Sequence, residues 1–239
     1  MLELEQVNTY RGAAHILRGI SLSVGEAEAV CLVGRNGAGK TTTLASIMGL
    51  LPVRSGTITF QGRNITRLAT HERARLGIGY APEDCGIFPD LTIAEHLKIG
   101  HWLVGESRRG RMPASDEDMD EKIFNLFPEL QALTQRRGLY LSGGEKKMVA
   151  IARAMALSPS ILLLDEALEG LAPVVVNRFA DAVKRIKEMG ISLLIAESIL
   201  MAATKVADRL YVIDRGEIIF HGDPRKVFEN EEVMRTIRG

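Results

Sequence analysis

The stretch VGRNGAGKTTT, residues 33–43, decides the fold of this chain, because it joins three kinds of local structure in a fixed order. It begins at the end of the apolar run Ala29–Val33, which is typical of a buried strand, and it ends inside a segment with helical spacing. It contains the pattern G-x-x-x-x-G-K-[ST]. The fixed positions are Gly34, Gly39, Lys40 and Thr41. The pattern therefore predicts a strand, a glycine-rich loop and a helix.

This loop has the chemistry of a phosphate site. Glycines let backbone N–H groups curl around phosphates, and the following helix presents the positive end of its dipole. Lys40 is placed to reach the outer phosphates, and the Thr41 hydroxyl is placed to reach a magnesium ion. A glycine-rich turn that only closes a strand and a helix is the alternative interpretation of the same residues.

Composition limits the classes of protein that fit. The 239 residues include 30 Lys and Arg against 30 Asp and Glu, so the net charge gives no reason to expect nucleic acid or anionic lipid as a partner. No apolar run approaches the roughly 18 residues that span a bilayer, and the start, MLELEQVNTY, lacks a signal-peptide pattern. Cys31 and Cys85 match no metal-ligand spacing. We expect a cytosolic protein with reduced thiols, in which any membrane role would have to come through a partner.

Strand and helix signals alternate along most of the chain. Leu2–Tyr10 and Ile16–Val24 predict an antiparallel arm around the turn at Arg11 and Gly12. The other predicted strands are Gly56–Phe60, Ile78–Ala81, Ser160–Asp165, Ser192–Ala196 and the hairpin of Arg209–Asp214 with Glu217–Phe220. The predicted helices are Thr42–Leu50, Thr92–Ile99, Asp116–Phe127, Gly144–Ala156, a long helix from Pro173 and a short tail after Pro224.

These signals indicate an α/β fold. Continuous apolar strands are typical of a parallel core sheet that is covered on both faces. From about residue 84 to residue 139 strand signals give way to helical ones. We therefore predict one domain over residues 1–239, with an α/β core and an antiparallel β arm in residues 1–83 and 140–239, and an inserted helical subdomain at about 84–139.

Two acidic residues directly follow the apolar strand Ile161–Leu164. A carboxylate at the carboxyl end of a buried strand lies beside the phosphate loop in such folds, so Asp165 is placed to hold magnesium through its water shell. Glu166 is placed on the other side, where it can polarise an attacking water. Without the phosphate loop, a strand that ends at a solvated turn would explain these residues equally well.

A third motif, LSGGE, opens the helix after the predicted insertion. Ser142 is a natural N-cap, and Gly143 and Gly144 leave their N–H groups uncovered. This makes a second anion-binding helix N-terminus in one chain, and one terminal phosphate does not need two from the same molecule. We infer that a second molecule supplies this helix to complete the site.

The phosphate loop, the helical insertion, LSGGE and LLLDE occur in the order found in ATP-binding cassette ATPases, and the chain resembles this family over essentially its whole length. The resemblance implies a P-loop NTPase fold with a RecA-like core and ATP and Mg²⁺ as cofactors. It also implies a dimer in which each ATP lies between one phosphate loop and the LSGGE motif of the partner.

The resemblance also assigns roles by position. Tyr10 would stack on adenine, although a strand-end core aromatic is the alternative role for this residue. Lys40, Glu166 and Ser198 would be catalytic, with Glu166 as the general base. The phosphate cradle would consist of Gly34, Arg35, Asn36, Gly37, Ala38, Gly39, Lys40, Thr41 and Thr42. Ser142, Gly143 and Gly144 would contact the γ-phosphate held by the partner.

Several positions depart from the usual family pattern. Glu83 in YAPED stands where a glutamine usually links magnesium to the transmembrane partner, and its carboxylate can still reach the metal. Ala167 replaces the usual proline after the catalytic glutamate, and Ala172 replaces a usual aspartate. Ser198 stands where a histidine generally contacts the γ-phosphate. We therefore expect slower hydrolysis than in a relative that has the histidine.

Three segments indicate a particular group within this family. The runs GIGYAPEDCGIFPDLTIAEHL, LSGGEKKMVAIARAM and EGLAP resemble the ATPases of branched-chain amino acid importers and of related urea and amide importers. The implied partners are transmembrane permease subunits, a second ATPase subunit (identical or different) and, indirectly, a periplasmic solute-binding protein. The implied location is peripheral, at the cytoplasmic face of the inner membrane.

Other interpretations stay open. Glu83 and the following loop with Phe88 would receive a coupling helix of the permease, but Phe88 can equally be a local packing residue. An exporter ATPase, a soluble cassette protein acting on ribosomes or DNA, and a nucleotide sensor without hydrolysis are the alternative functions. The neutral, single-cassette chain speaks against the second, and intact Lys40, Asp165 and Glu166 speak against the third.

Overall fold

A computed structural model describes residues 1–105, 116–169 and 173–238 of the chain. The strands are β1 Leu2–Arg11, β2 Ala14–Val24, β3 Ala29–Val33, β4 Val53–Phe60, β5 Arg63–Asn64, β6 Ile78–Ala81, β7 Ile161–Asp165, β8 Ser192–Glu197, β9 Arg209–Asp214 and β10 Glu217–Gly222. The α-helices are α1 Lys40–Met48, α2 Thr70–Arg75, α3 Ile93–Gly105, α4 Asp116–Leu126, α5 Pro128–Ala132, α6 Gly143–Ala156, α7 Pro173–Glu188, α8 Leu200–Val206 and α9 Glu231–Arg238. Short 3₁₀ turns cover Gly138–Tyr140 and Lys226–Glu229.

The predicted α/β fold is confirmed. Six strands form one sheet in the order β10-β9-β3-β8-β7-β6, in which only the edge strand β10 is antiparallel to its neighbour. A second, antiparallel sheet, β2-β1-β4-β5, is the predicted arm. The phosphate loop thus leaves the middle of the parallel sheet, where both neighbours of β3 end at the same edge.

The parallel sheet is covered on both faces, because successive residues of a strand point to opposite sides. Cys31 and Leu193 pack with the helices α3 to α8, whereas Leu32 and Leu194 pack with α1 and the arm. Both cysteines are buried and unpaired. Apolar side chains on both faces explain why these strands read as continuous apolar runs rather than as alternating patterns.

Residues 93–105 and 116–132 hold the helices α3, α4 and α5 and no strand, as the loss of strand signals predicts. Thr92 precedes α3 as its cap, with its Oγ1 accepting from the N–H of Glu95. Buried side chains of these helices join the cluster that includes α6. Residues 106–115, within the basic and acidic stretch that precedes α4, lie outside the described part.

Three short helices were not predicted from the sequence: α2, α5 and α8. They have five to seven residues, too few for a hydrophobic repeat to stand out. Contacts with the rest of the molecule stabilise these helices; Arg73 of α2, for example, donates to the backbone oxygens of Ser46 and Ile47. None of the helices in residues 1–105, 116–169 and 173–238 has the length and apolar character that crossing a membrane requires.

Candidate functional site

The phosphate loop connects β3 to α1, and it needs glycine at two positions for different reasons. At Gly34 a Cβ atom would lie 2.3 Å from the backbone oxygen of Ile213 in β9, so no side chain fits. At Gly39, which directly precedes α1, φ is 119°, a conformation that residues with a side chain rarely adopt. The two glycines let the loop bring the positively polarised first turn of α1 to the sheet edge.

Lys40, the first residue of α1, is buried, and oxygen atoms surround its ammonium group. Its Nζ donates to the backbone oxygens of Gly34 at 2.8 Å and Arg35 at 3.2 Å, and to Ser198 Oγ at 3.0 Å. It also forms an ion pair with Glu166 Oε1 at 3.0 Å. The structure therefore brings the three residues expected to be catalytic into direct contact.

Glu166 directly follows β7 and is held by hydrogen bonds at both its side chain and its backbone. Its φ of 50° turns the chain sharply at the end of the strand. Its Oε1 accepts from Ser198 Oγ at 2.6 Å, and its Oε2 accepts from the Ser198 N–H at 3.1 Å. Its backbone oxygen accepts from Lys147 Nζ of α6 at 2.6 Å. The buried carboxylate is thus fixed where segments following β7 and β8 meet α1.

Asp165 lies at the end of β7, beside the start of α1. The Thr41 hydroxyl donates to Asp165 Oδ1 at 3.2 Å, and Tyr80 OH donates to Oδ2 at 3.4 Å. Burial, together with the charges of Glu166 and Glu83, raises the pKa of Asp165 to about 6, against the lowering effect of the Thr41 hydrogen bond. A cation at this point would relieve the repulsion among these carboxylates.

The donor set around Asp165 fits a magnesium ion. Thr41 Oγ1 and the Asp165 carboxylate are oxygen donors next to the phosphate loop. Within the described residues, no group of three or more His, Cys, Asp or Glu side chains could hold a metal by itself. Mg²⁺ usually keeps several waters and binds through one or two carboxylates and phosphate oxygens, so a sparse protein donor set suits it.

A cleft of about 500 Å³ runs from these residues toward the β arm. It is lined by Arg11, Ile16, Asn36, Gly37, Gly39, Lys40, Thr41, Thr42, Glu83 and Glu166. Most of the expected phosphate cradle is therefore in one place. Arg35 and Ala38 instead line a neighbouring cleft near the β9–β10 turn and α9, and Gly34 packs against β9.

Tyr10 does not line the phosphate cleft. Its ring stacks on His15 of β2, with 4.3 Å between ring centroids and 2° between ring planes. Tyr10, the residue expected to stack on adenine, is thus part of an aromatic pair on the arm. Arg11 and Ile16 of the arm line the cleft instead.

Glu83, which follows β6, lines the same cleft as Lys40, and its side chain is exposed. The negative charge of Glu83 is close enough to raise the pKa of Asp165. That its carboxylate reaches a metal at Asp165 and Thr41 stays a prediction.

The LSGGE motif lies at the start of α6, away from the phosphate cleft. Ser142 Oγ accepts from the Glu145 N–H at 3.3 Å, and Glu145 Oε2 accepts from the Ser142 N–H at 2.6 Å. This capping box leaves Ser142 and Gly143 exposed. The structure therefore does not bring Ser142, Gly143 and Gly144 to the phosphate loop of their own chain.

Two further residues near Glu166 were missed by the sequence analysis. Lys147 Nζ donates to the backbone oxygens of Glu166 and Glu169, and so ties α6 to the segment that follows β7. Glu197 is fully buried at the end of β8; its Oε1 accepts from the Leu168 N–H at 2.8 Å, and its Oε2 has no hydrogen-bond partner among the described residues. The only sequence signal for Glu197 was a charge at the end of an apolar strand.

Of the departures from the usual family pattern, Ala167 is buried beside Leu168 and Ser198 lies in the site. Ala172 lies outside the described residues.

The chain is similar to known proteins over most of its length. Residues 17–169 match the family model of the ABC transporter. The high-affinity branched-chain amino acid transport ATP-binding protein BraG of Pseudomonas aeruginosa is 32% identical over 239 residues, which are 100% of both chains. The lipopolysaccharide export system ATP-binding protein LptB of Escherichia coli K12 is 34% identical over 230 residues, covering 96% of this chain and 93% of LptB. The ADP conformation of MJ1267, an ATP-binding cassette of an ABC transporter, superposes with a TM-score of 0.84 at 30% identity, covering 100% of this chain and 98% of that chain.

Proposed function

The chain belongs to the ABC transporter family of ATP-hydrolysing subunits, and from this premise we propose that it powers a membrane importer of branched-chain amino acids or similar small polar solutes. The full-length similarity to BraG supports the solute class. The comparable similarity to LptB supports an exporter as the second candidate.

The observation that carries the ATPase role is the contact among Lys40, Glu166 and Ser198 next to the first turn of α1. Lys40 and the α1 N–H groups bind the phosphates of ATP. Glu166 accepts a proton from the attacking water as that water forms a bond to the γ-phosphorus and the bond to the leaving ADP oxygen breaks. Mg²⁺ held by Thr41 and Asp165, with Glu83 in reach, would neutralise charge on the phosphate oxygens.

Ser198 sets the expected rate of this reaction. Its hydroxyl is 3.0 Å from Lys40 Nζ and 2.6 Å from Glu166 Oε1, so a longer imidazole in its place would reach further into the cleft. We propose that a Ser198→His variant hydrolyses ATP faster than the wild type. A steady-state ATPase assay with an unchanged or lower rate for this variant would count against the proposal.

Docking to the permease is assigned to an exposed apolar surface, the Phe88 patch, formed by Phe88, Leu139 and Tyr140. These side chains are 51%, 62% and 70% exposed, and the Leu139 N–H donates to the Pro89 oxygen at 2.9 Å, which joins the two segments. Exposed apolar surface of this kind is typical of an interaction site. We propose that a coupling helix of the permease packs on it, next to Glu83.

The loop that carries Phe88 is firmly held. Arg153 of α6 donates to the backbone oxygens of Gly86 at 2.6 Å and Cys85 at 2.9 Å. The Phe88 N–H donates to Nε2 of the buried His96 at 3.0 Å. Because Arg153 is on the helix that begins with LSGGE, these hydrogen bonds connect the loop of Phe88 to the helix that carries that motif.

The test is co-purification from gently solubilised membranes of the native host, with partners identified by mass spectrometry. The wild-type chain is expected to recover permease subunits, a second ATPase subunit and a periplasmic solute-binding protein that binds branched-chain amino acids. Phe88→Glu is expected to lose the permease, and Phe228→Glu, at an apolar residue that is 43% exposed elsewhere, is the matched control.

Two other outcomes would decide against this proposal. A permease without any solute-binding protein would favour the exporter. Ribosomal or DNA-associated proteins without a membrane protein would contradict the transporter role.

A further inference from the structure

The turn that follows β7 holds Glu166 in an uncommon backbone conformation. Glu166 is buried and has a φ of 50°, which lies in the left-handed region that residues with a side chain seldom adopt. A strained backbone of this kind persists only where the surrounding structure fixes it, and it occurs mainly at functional sites. The contacts that fix this turn therefore decide where the Glu166 carboxylate lies.

Lys147 of α6 holds both ends of the turn. Its Nζ donates to the backbone oxygen of Glu166 at 2.6 Å and to that of Glu169 at 2.5 Å. The Glu169 N–H also donates to the Glu166 oxygen, at 3.3 Å, which closes the turn. On the strand side, the Glu166 N–H donates to the backbone oxygen of Ala196 in β8 at 2.9 Å. Hydrogen bonds from a charged donor are stronger than neutral ones, so Lys147 contributes much of what holds the turn.

The ammonium group of Lys147 binds these backbone oxygens and no side chain. In the part of the chain that the structure describes, no carboxylate forms an ion pair with it. Lys147 also does not line the phosphate cleft. Any effect of Lys147 on a reaction in that cleft must therefore pass through the turn.

Glu197 gives the same turn a second support. From the end of β8, its Oε1 accepts from the Leu168 N–H at 2.8 Å, in the middle of the turn. Without Lys147 the turn would keep this contact and the bond from Glu166 to Ala196, but the Glu166 oxygen would lose its charged donor. We therefore expect a Lys147 variant to fold, with the Glu166 backbone less firmly held.

This backbone support matters most when nucleotide is bound. In the structure the Glu166 carboxylate accepts from Ser198 Oγ at 2.6 Å and pairs with Lys40 Nζ at 3.0 Å. A phosphate oxygen competes for Lys40, because it is also an anion. The carboxylate then depends more on the backbone to which it is attached. Displacement of a reacting group by about 1 Å can lower a rate by about 100-fold.

We propose that Lys147 is a positioning residue for Glu166. By holding the turn after β7, it keeps the carboxylate within hydrogen-bonding distance of the attacking water, as a proton acceptor requires. Lys147 acts through Glu166 and not on the nucleotide. This inference rests on the proposed function, because it presumes that Glu166 accepts the proton of that water.

The first test is steady-state ATPase kinetics. Lys147→Met keeps the length of the side chain and removes its donors, and we expect kcat to fall about tenfold with KM for ATP within about twofold. Lys147→Arg restores a charged donor of similar length and should bring kcat back to within about threefold of the wild type. Lys146→Met, the matched control, removes an equal charge one position earlier on α6 and should leave kcat within about twofold.

A double-variant cycle separates positioning from general support of the fold. In a Glu166→Gln background, single-turnover phosphate release measures the small remaining rate. Lys147→Met should change that rate by less than about twofold, because no carboxylate is left to position. A residue that supports only the fold would lower the rate by the same factor in both backgrounds. Lys147→Gln, which is too short to reach both oxygens, takes the same place in the cycle should Lys147→Met not fold.

Three results would overturn the proposal. An unchanged kcat in Lys147→Met would mean that Glu166 keeps its place without Lys147. Equal losses in the wild-type and Glu166→Gln backgrounds would mean that Lys147 acts independently of Glu166. A Glu166→Gln chain that hydrolyses ATP at nearly the wild-type rate would instead show that the proposed role of Glu166 is wrong, and the inference about Lys147 would fail with it.

Discussion

At the scale of single residues, the crowding around Lys40 is the central feature. Its ammonium group has three hydrogens and is within hydrogen-bonding distance of four oxygens, on Gly34, Arg35, Ser198 and Glu166. A phosphate oxygen that binds Lys40 must therefore replace one of them. The ion pair with Glu166 is the direct competitor, because both Glu166 and phosphate are anions.

We expect Glu166→Gln to bind ATP about tenfold more tightly than the wild type, because it removes an anion that competes for Lys40. Hydrolysis should fall at least ~100-fold, since the proton acceptor is lost. Calorimetry and a phosphate-release assay measure the two effects. The control is Glu83→Gln, which removes an equal charge from the same cleft and should change affinity less. Equal gains in both variants would mean that cleft charge, and not the ion pair, sets the affinity.

Glu197 shows how burial affects a residue beside the site. Burial raises its pKa to about 8, although the hydrogen bond from the Leu168 N–H lowers it. In the unfolded chain the carboxyl releases its proton near its ordinary pKa of about 4.3, but in the folded chain it keeps the proton until about pH 8. The folded state thus binds more protons between these values, and the stability from this residue is lost as pH rises through this range.

Glu197→Gln should therefore gain stability relative to the wild type as pH rises from 5 to 8. We expect the difference in Tm, variant minus wild type, to increase by roughly 5 °C over this range. Thermal melts at several pH values measure it. Glu217→Gln, at an exposed position of β10, should show no such trend. A Tm difference that does not change with pH would mean that Glu197 is ionised in the folded protein.

At the scale of elements, α1 is held at both ends. Its first turn follows the phosphate loop, and its last carbonyls bind Arg73 of α2, whose Nη1 donates to Ser46 at 2.8 Å and to Ile47 at 2.7 Å. The same guanidinium donates to the oxygens of Leu68 and Thr66, and the side chain is buried. A positive charge at a helix C-terminus also interacts favourably with the negative end of the helix dipole. The short helix α2 therefore supports the helix that carries Lys40.

Arg73→Met should lower the free energy of unfolding by roughly 3 kcal/mol, because it leaves buried carbonyl oxygens without donors. Urea denaturation measures this change. Arg67→Met is the control, since Arg67 is exposed in the same segment, and it should stay within about 0.5 kcal/mol of the wild type. A similar stability for both variants would contradict the role of Arg73 as a cap of α1.

At the scale of the whole molecule, the two anion-binding helix N-termini lie apart. α1 opens into the phosphate cleft, whereas the exposed Ser142 and Gly143 at the start of α6 do not line it. One chain therefore supplies the phosphate loop of one expected ATP site and the α6 N-terminus of another. A pair of chains in head-to-tail arrangement would place each α6 N-terminus over the phosphate loop of the other.

We expect ATP to cause dimerisation of the Glu166→Gln variant, in which ATP is not consumed. Gly143→Asp in the same background should prevent the dimer and leave binding of ATP to the monomer within about threefold, because Gly143 is exposed and remote from the cleft of its own chain. Light scattering after size exclusion measures the mass. A monomer with ATP bound would indicate that a different ATPase chain is required as partner.

The local patterns of the sequence determined the order of elements, the phosphate loop, the acidic end of β7 and the cap at Ser142. These features depend on neighbours in the chain, namely glycine positions, apolar periodicity and capping residues, and such signals can be read directly from sequence. The same signals are weak in α2, α5 and α8, whose formation depends on contacts with distant segments.

Only the tertiary structure decided which side chains meet. Lys40, Glu166 and Ser198 follow three different strands, and they touch because β3, β7 and β8 are parallel and end at one edge. Arg11 lines the cleft and Tyr10 does not, because side chains alternate along β1 and the register between β1 and β2 shifts at this point. The sequence alone does not show this shift. A shift by one residue turns a side chain to the other face of a sheet, so the contacts of the site are set by strand pairing rather than by local sequence.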